Sequence, residues 1–307
     1  MSTGKKVALI VVAVIVALLL AGGILAYSYV HNMLNQVEKV TIDESALGAD
    51  NAGNPSDIIN IALFGIDAEE GETGRSDSIM ILTLDKVHNR MKLTSIMRDS
   101  YVNIPDYGMD KINHAYAYGG PELAIRTLNE NFGLNITDFA AVNFTSMPQI
   151  IDQLGGVTID VTAEEIATGN IPGITEPGEQ VLNGEQALGY SRIRYATGDD
   201  FTRTERQRTV MNQIVTKLAQ QPVSSYPTLF NELAPLIQTS LGNNEIISLA
   251  TEYGSLAKQG IQMARFPLDG DCTGQMIDGV YYLTFDLATE KEKINAYIFD
   301  DAEYAGL

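Results

Sequence analysis

Residues 58–97 read IINIALFGIDAEEGETGRSDSIMILTLDKVHNRMKLTSIM, and this stretch decides the fold. It contains three apolar segments with the character of strands, at residues 58–66, 78–84 and 91–97. The first is a nearly unbroken apolar run with a β-branched bias, which is typical of a strand buried on both faces. The polar stretch at residues 85–90 predicts a hairpin turn between the second and third segments. We therefore expect three consecutive strands in a central sheet.

Charged residues stand where these strands end or begin. Asp67 ends the first strand, Asp77 begins the second, and Arg98 and Asp99 end the third. In an up-down-up meander these three positions lie at the same edge of the sheet. Two carboxylates at such an edge can hold a hard cation such as Mg²⁺ alongside phosphate oxygens. The alternative is that acidic residues simply mark strand ends, as they often do in turns.

The rest of the chain alternates helix and strand signals. Helices are predicted at residues 121–132, 145–155, 183–189 and 202–220, and strands at residues 157–161, 262–266 and 280–285. Gly133 ends the first of these helices, and Asn183 with Gln186 forms a capping-box start for the third. Together these elements predict an α/β domain with a mixed central β-sheet flanked by helices.

The helix predicted from residue 202 begins in a cluster of basic residues. Five of the ten arginines lie between positions 192 and 208, in an otherwise acidic chain. Helical periodicity places Arg203 and Gln207 on the inward face, in line with apolar residues further along the helix, whereas Arg208 is expected at the surface. A helix N-terminus favours an anion, so we interpret Arg203 as part of an anion site; a structural pair with Asp199 or Asp200 is the alternative. Lys111, in DKINHAYAYGG, is a weaker candidate.

An apolar run without a charge occupies residues 7–30 and is long enough to span a bilayer as a helix. Lys5 and Lys6 precede it and the following flank is acidic, so the N-terminus is expected in the cytoplasm and the rest outside. A cleaved signal peptide is the alternative. The predicted organisation is a cytoplasmic tail at residues 1–6, a transmembrane anchor at 7–30, a juxtamembrane linker at 31–57 and an extracytoplasmic domain at 58–307.

The composition narrows the classes of function. With 39 acidic and 20 basic residues, the net charge of −19 argues against nucleic-acid binding and against electrostatic docking on an anionic membrane. Cys272 is the single cysteine, so an intramolecular disulfide and a CxxC site are excluded. The three histidines are scattered along the chain, which gives a zinc site little support.

At the residues described above, the chain closely resembles the LytR–CpsA–Psr family of bacterial cell-envelope proteins. The matching segments run in the family's order and are NIALFGID, RSDSIMILTLD, SIMRDSYVNIPDYGMDKINHAYAYGGPELA, VNFTSMPQIIDQLGGVTIDV, LNGEQALGYSRIRY and DDFTRTERQR. The combination is specific, although each motif alone is weak. Met97 and Thr202 depart from the family's usual proline and glycine, and neither change removes a charged group.

The resemblance implies a phosphotransferase that moves a glycan phosphate from a polyprenyl-diphosphate carrier to a hydroxyl of peptidoglycan. It implies that Asp67 and Asp77 hold Mg²⁺ (or Mn²⁺) and that the polyprenyl chain lies between sheet and helices. The catalytic candidates are Arg98, Asp99 and Arg203. Asp99 is predicted as the general base only from its proximity to Arg98. The residues implied in diphosphate binding are Arg98, Lys111, Arg192, Arg194, Arg203 and Gln207, with Asp200 as a further polar residue of the site.

Two other classes of function stay open. One is a non-catalytic, membrane-anchored binder or regulator of envelope assembly, and the other is a hydrolase of lipid-linked diphosphates. The sequence does not decide which glycopolymer is moved, whether teichoic acid, capsule or another polymer. It also leaves the oligomeric state and the role of Cys272 open.

Overall fold

The computed structural model describes residues 31–32, 34–49, 57–67, 74–143, 146–193, 199–221, 225–253 and 255–304. The predicted membrane segment at residues 7–30 lies outside these ranges. Within them, no helix combines the length and apolar character needed to cross a bilayer.

The strands of the described residues fall into one large sheet and three small ones. In chain order they are β1 (Glu38–Lys39), β2 (Ile58–Asp67), β3 (Arg75–Asp85), β4 (Arg90–Ile96), β5 (Tyr101–Ile104), β6 (Gly108–Lys111), β7 (Asp138–Asn143), β8 (Val157–Val161), β9 (Gly178–Leu182), β10 (Ile237–Thr239), β11 (Ile261–Phe266), β12 (Cys272–Ile277) and β13 (Val280–Phe285). The large sheet has the order β1-β10-β7-β2-β3-β4-β11. Its β2-β3-β4 meander is antiparallel, whereas β2 with β7 and β4 with β11 are parallel, so the sheet is mixed as predicted.

Helices separate and cover these strands. They are α1 (His114–Phe132), α2 (Met147–Gln153), α3 (Ala163–Ala167), α4 (Gly184–Ser191), α5 (Asp199–Gln220), α6 (Tyr226–Leu233), α7 (Asn243–Tyr253) and α8 (Leu287–Phe299). Both residues of the predicted capping box at Asn183 and Gln186 make their reciprocal bonds. Gly133, predicted to end α1, takes the left-handed conformation at φ 66°.

The central strands are apolar at nearly every position because helices cover both faces of the sheet. Successive residues of a strand point to opposite faces. Ala62 and Phe64 belong to one core cluster with Phe132 of α1 and Ile298 of α8. Ile61, one position away, belongs to another cluster with Tyr253 of α7. A third cluster joins α2, α4, α5 and α6 to the small β8-β9 sheet.

Several boundaries differ from the prediction. β3 starts at Arg75, so Asp77 lies inside the strand instead of opening it. α1 starts at His114 and is broken at Gly119 and Gly120, and the predicted Pro121 start is only its second segment. α5 starts at Asp199, three residues before the predicted start. The proposed Thr145 cap of α2 lies outside the described residues.

The structure corrects the predicted linker over residues 34–49. β1 pairs with β10 at the edge of the large sheet. Leu34 and Leu47 are buried, and Asn129 of α1 donates a hydrogen bond to the Leu47 carbonyl at 2.9 Å. Scattered apolar residues in a polar stretch did not reveal this docking from the sequence. The folded domain therefore begins well before residue 58.

Candidate active site

The predicted convergence at one sheet edge is present. The antiparallel register of β2 and β3 sets Asp67 opposite Arg75 and Ile66 opposite Ser76, whereas Gly65 faces Ser78. Asp77 is thus the extra residue of a β-bulge, a feature that turns a side chain away from the regular alternation of a strand. The bulge accounts for how a carboxylate inside a buried strand reaches the edge.

A chain of alternating charges runs along this edge. Arg98 donates through Nη1 to Asp77 Oδ2, and Asn113 donates through Nδ2 to Asp77 Oδ1 at 2.9 Å. On its other side, Arg98 Nε lies 3.5 Å from Asp99 Oδ2. Lys111 Nζ then donates to Asp99 Oδ1 at 2.6 Å. We call Asp77, Arg98, Asp99, Lys111 and Asn113 the charge chain.

Main-chain hydrogen bonds hold the charge chain in place. The Met97 N–H donates to the Phe266 carbonyl of β11 at 3.0 Å. The Asn113 N–H reaches the Arg98 carbonyl at 3.3 Å, and the Leu283 N–H of β13 reaches the Asp99 carbonyl at 2.9 Å. Three separate parts of the chain therefore fix the short Met97–Asp99 turn. Sequence reasoning found Arg98, Asp99 and Lys111 but missed Asn113, because an asparagine in a loop carries no distinguishing pattern.

Asp67 and Asp77 are carboxylates of the type that can hold Mg²⁺. Mg²⁺ in proteins is usually held by one or two carboxylates, with phosphate oxygens and waters as the remaining ligands. Asp67 is exposed at the end of β2, and Asp77 lies near it at the bulge. Both oxygens of Asp77 already accept hydrogen bonds from Arg98 and Asn113. The described residues contain no group of three or more acidic, histidine or cysteine side chains arranged for a metal.

The start of α5 lies beside the charge chain. Thr204 donates through its hydroxyl to the sulfur of Met97, the residue before Arg98, at 3.4 Å. Its neighbour Arg203 is buried, with 4% of its surface exposed, which agrees with the predicted inward orientation. Gln207 is half-buried. Arg192 is exposed and follows α4 directly as its C-cap.

Not every predicted residue of this region can be placed. Arg194 lies outside the described residues, and so do the side chains of Asp199 and Asp200, so the alternative pairing of Arg203 with either carboxylate is untested. Arg206, which belongs to the same cluster, is buried and donates through Nε to Glu165 Oε1 of α3 at 2.7 Å. We interpret Arg206 as structural, because its charge is already matched by a buried carboxylate.

The surface position predicted for Arg208 is wrong. Its Nε and Nη1 atoms are buried and have no hydrogen-bond partner among the described residues. Burial, followed by the positive charge of Arg265, lowers the pKa of Arg208 to about 10. The prediction assumed one buried face, but α5 packs both against the small β8 sheet and against β4 and β11. A long helix between two packed surfaces buries more than one stripe.

Aromatic residues surround the lysine end of the charge chain. Lys111 Nζ lies 5.8 Å from the ring centroid of Tyr282 and 6.0 Å from that of Tyr281. The adjacent Asp110 accepts a hydrogen bond from the Tyr118 hydroxyl at 2.7 Å and contacts His114 Nδ1 at 2.8 Å. Partial burial opposes ionisation of Asp110, but the hydrogen bonds from Tyr118 and His114 outweigh it and lower its pKa. The tyrosines of AYAYGG and VYY were the available signal, and sequence reasoning did not use it.

The fold and this edge define an α/β protein whose sheet carries a polar, charge-lined site suited to a phosphorylated ligand. The LytR_cpsA_psr family matches residues 24–297, and the chain belongs to this family. The resemblance seen in the motifs is thereby confirmed.

Named relatives and solved structures agree with this assignment. The chain is 31% identical over 299 residues to the polyisoprenyl-teichoic acid–peptidoglycan teichoic acid transferase TagU of Bacillus mycoides, covering 95% of this chain and 96% of that protein. It is 34% identical over 211 residues to the regulatory protein MsrR of Staphylococcus aureus, covering 68% of this chain and 64% of MsrR. Among solved structures, B. subtilis TagT has a TM-score of 0.67 at 26% identity, covering 85% of this chain and 99% of TagT. The family protein YwtF (TagT) with bound octaprenyl pyrophosphate lipid has a TM-score of 0.61 at 25% identity, covering 79% and 91%.

Proposed function

We propose that this protein transfers a glycan phosphate from a polyprenyl-diphosphate carrier to a hydroxyl of peptidoglycan. The observation that carries the proposal is the charge chain at the sheet edge, in a member of a family with relatives named as teichoic acid–peptidoglycan transferases. A related structure is described with a bound octaprenyl pyrophosphate lipid, which supports a lipid-linked diphosphate as the donor.

The cations of the charge chain are the groups that bind the diphosphate in this proposal. Arg98 presents a planar fork that matches phosphate oxygens, and Lys111 supplies a second positive charge. Both cations are paired with carboxylates of the protein in the structure. When a diphosphate binds, its oxygens replace these carboxylates as the anionic partners of Arg98 and Lys111. Arg203 near the start of α5, with Arg192, Arg194 and Gln207, completes the proposed diphosphate-binding set, and Asp200 is a further polar residue of the site.

Mg²⁺ is proposed as the cofactor, held by Asp67 and Asp77, where it would neutralise charge on the diphosphate. In the reaction, the peptidoglycan hydroxyl oxygen forms a bond to the glycan-bearing phosphorus. The bond from that phosphorus to the bridging oxygen breaks, and polyprenyl phosphate leaves with the bonding electrons. Arg98 and Arg203 stabilise the negative charge that grows on the leaving phosphate.

The hydroxyl proton must pass to a base, and Asp99 stays our prediction for that role. Both oxygens of Asp99 lie near cations, Lys111 at 2.6 Å and Arg98 at 3.5 Å. Asp99 can accept the proton only after one of these contacts opens. If both contacts persist in the complex, its contribution is to position the two cations, and another group takes the proton.

The proposed location is the outer face of the cell membrane. This location rests on the sequence: the apolar run at residues 7–30 would anchor the chain as a single span, and Lys5 and Lys6 before it favour a cytoplasmic N-terminus. This orientation presents the domain to peptidoglycan and to lipid-linked precursors on the outer leaflet. The acidic surface gives no reason to expect a nucleic-acid partner.

The test uses the full chain in detergent micelles with Mg²⁺, a radiolabelled polyprenyl-diphosphate disaccharide and purified peptidoglycan. We expect label to become attached to peptidoglycan and attachment to fall when EDTA is added. Label released as a soluble sugar phosphate, with none attached, would establish the hydrolase instead. Binding of the lipid without release or attachment would establish the binder or regulator, a reading that the naming of the relative MsrR as a regulatory protein favours.

A further inference from the structure

Exposed apolar side chains are concentrated beside the charge chain. Among the described residues, eight large hydrophobic side chains are exposed, and six of them lie on the β5-β6 hairpin, the start of α1 and the β12-β13 hairpin. These six are Tyr107, Met109, Tyr118, Met276, Val280 and Tyr281. Contiguous exposed apolar surface on a soluble domain marks an interaction site more often than scattered residues do.

The tyrosines of this surface are held in fixed orientations. Tyr107 and Tyr118 stack with ring centroids 4.7 Å apart and an interplanar angle of 15°. The ring centroids of Tyr101 and Tyr282 are 4.6 Å apart, and this contact joins the β5-β6 hairpin to β13. Tyr118 is tied through its hydroxyl to Asp110. We call Tyr101, Tyr107, Tyr118, Tyr281 and Tyr282 the tyrosine platform.

We propose that the tyrosine platform binds the glycan strand of peptidoglycan and presents its hydroxyl to the charge chain, an inference that rests on the proposed function. Sugar rings have apolar C–H faces that pack on the electron-rich faces of aromatic rings. Tyr107, Tyr118 and Tyr281 keep 57%, 43% and 44% of their surfaces exposed, which leaves ring area for such packing.

The platform is continuous with the site that would hold the phosphate. Lys111 forms an ion pair with Asp99 of the charge chain and lies within about 6 Å of two platform rings. The Leu283 N–H of β13 binds the Asp99 carbonyl, so the hairpin that carries Tyr281 and Tyr282 is bonded to the Met97–Asp99 turn. A sugar on the platform is therefore adjacent to the proposed diphosphate, where the attacking hydroxyl must arrive.

The charge around the platform favours a sugar over a lipid surface. Asp278 is exposed on the turn of the β12-β13 hairpin, and exposed Asp106 on the β5-β6 turn forms an ion pair with Arg126. Asp110 lies between the hydroxyls of Tyr118 and Tyr282. Carboxylates accept hydrogen bonds from sugar hydroxyls. An anionic membrane would instead be repelled, because surfaces that dock on such membranes carry clustered lysine and arginine. The same argument disfavours an anionic donor polymer and favours the acceptor strand.

The chain contains no tryptophan, so a Tyr281→Trp variant carries a single indole reporter on the platform. The full chain is placed in nanodiscs, and the probe is a β-1,4-linked tetramer of N-acetylglucosamine. We expect the probe to shift the indole emission, and brominated phosphatidylcholine in the disc to leave it unquenched. Quenching by the brominated lipid without a response to the tetramer would assign the platform to the membrane and overturn the inference.

Binding to peptidoglycan itself is measured by co-sedimentation with polymer-stripped peptidoglycan, using the chain without the tryptophan substitution. We expect a Tyr107→Ala/Tyr118→Ala double variant to bind at least tenfold more weakly, whereas Tyr118→Phe, which keeps the ring, stays within threefold of the unchanged chain. Val181→Ala is the matched control, because Val181 is 62% exposed on the unrelated β9 hairpin. Circular dichroism confirms that each variant is folded. Equal sedimentation of the unchanged chain and all three variants would overturn the inference.

This failure is distinguishable from failure of the proposed function. Binding of octaprenyl diphosphate, measured as a thermal shift, does not depend on the platform. We expect it to be unchanged in the double variant and in Tyr118→Phe. If the lipid binds and the platform variants still sediment like the unchanged chain, only the platform assignment fails. If transfer is never observed but the double variant loses peptidoglycan, the platform stands and the transferase proposal fails.

Discussion

Replacing Arg98 with alanine separates the chemistry of the charge chain from its contribution to folding. The main loss is the hydrogen bond from Arg98 Nη1 to the carboxylate of Asp77. A hydrogen bond to a charged group contributes about 1.5–3 kcal/mol. The 3.5 Å contact with Asp99 is long and, as an ion pair near the surface, adds about 0–1 kcal/mol.

The two carboxylates are not left alone in this variant. Asp77 keeps its bond from Asn113 at 2.9 Å, and Asp99 keeps Lys111 at 2.6 Å. We therefore expect Arg98→Ala to lower the free energy of unfolding by about 2 kcal/mol, near the lower end of the sum. For a domain of this size that corresponds to a fall in Tm of about 4–8 °C. Circular dichroism of the full chain in micelles measures it.

The effect on transfer should be much larger than the effect on stability. Removing one preorganised donor to a developing negative charge slows reactions by about 100-fold or more. The assay is attachment of labelled glycan phosphate to peptidoglycan at 25 °C, where the variant is still folded. Arg98→Lys keeps the charge but loses the planar fork, and we expect at least a tenfold loss of transfer from it.

Arg206→Lys is the matched control. Arg206 belongs to the same basic segment, but its partner is the buried carboxylate of Glu165, which is not a member of the charge chain. We expect it to lower Tm while transfer per folded molecule is unchanged. The reasoning is refuted if Arg98→Lys transfers as fast as the unchanged chain, or if Arg206→Lys loses as much transfer as Arg98→Lys.

Three further predictions test other parts of the structure. Lys92 is fully buried and binds Asp301 at 2.8 Å and the Tyr297 carbonyl at 2.7 Å. Lys92→Met should therefore lower the free energy of unfolding, measured in urea, by about 3–5 kcal/mol, and a loss below about 1 kcal/mol would contradict this role. The hydrogen bond to Asp110 raises the pKa of Tyr118 to about 12, so its stabilising effect is complete below pH 10 and is lost as pH rises through 12. Tyr116 also has a pKa raised to about 12, by burial, so the 295 nm titration of Tyr118→Phe should show one tyrosine fewer in this range, and identical curves would refute it. A Cβ added at Gly189 would lie 1.9 Å from the Asn170 carbonyl oxygen, so Gly189→Ala should lower Tm by about 4 °C or more. An unchanged Tm would show that α4 can shift to make room with no loss of stability.

The sequence was most informative where one physical pattern governs both local structure and burial. The apolar runs that became β2, β3 and β4 predicted the meander, and its topology predicted that Asp67, Asp77 and Arg98 share an edge. The inward face of α5 likewise predicted burial of Arg203. These inferences need only periodicity and chain direction.

What the sequence did not predict depends on contacts between distant segments. The bulge at Asp77 arises from the register of two strands, and the burial of Arg208 from a second surface packed against α5. The docking of Leu47 depends on Asn129, which is 82 residues away. The aromatic surroundings of Lys111 combine α1 with β13, and no local pattern joins these parts of the chain.

The hydrogen bond between Leu283 and Asp99 has a consequence for binding affinity. It ties a surface hairpin to the segment that carries Arg98, so their relative orientation is established during folding. A ligand that contacts both regions does not have to order one against the other when it arrives, and the entropy lost on association is smaller. Such pre-organisation matters most for a long, weakly held polymer, of which only one hydroxyl has to be aligned.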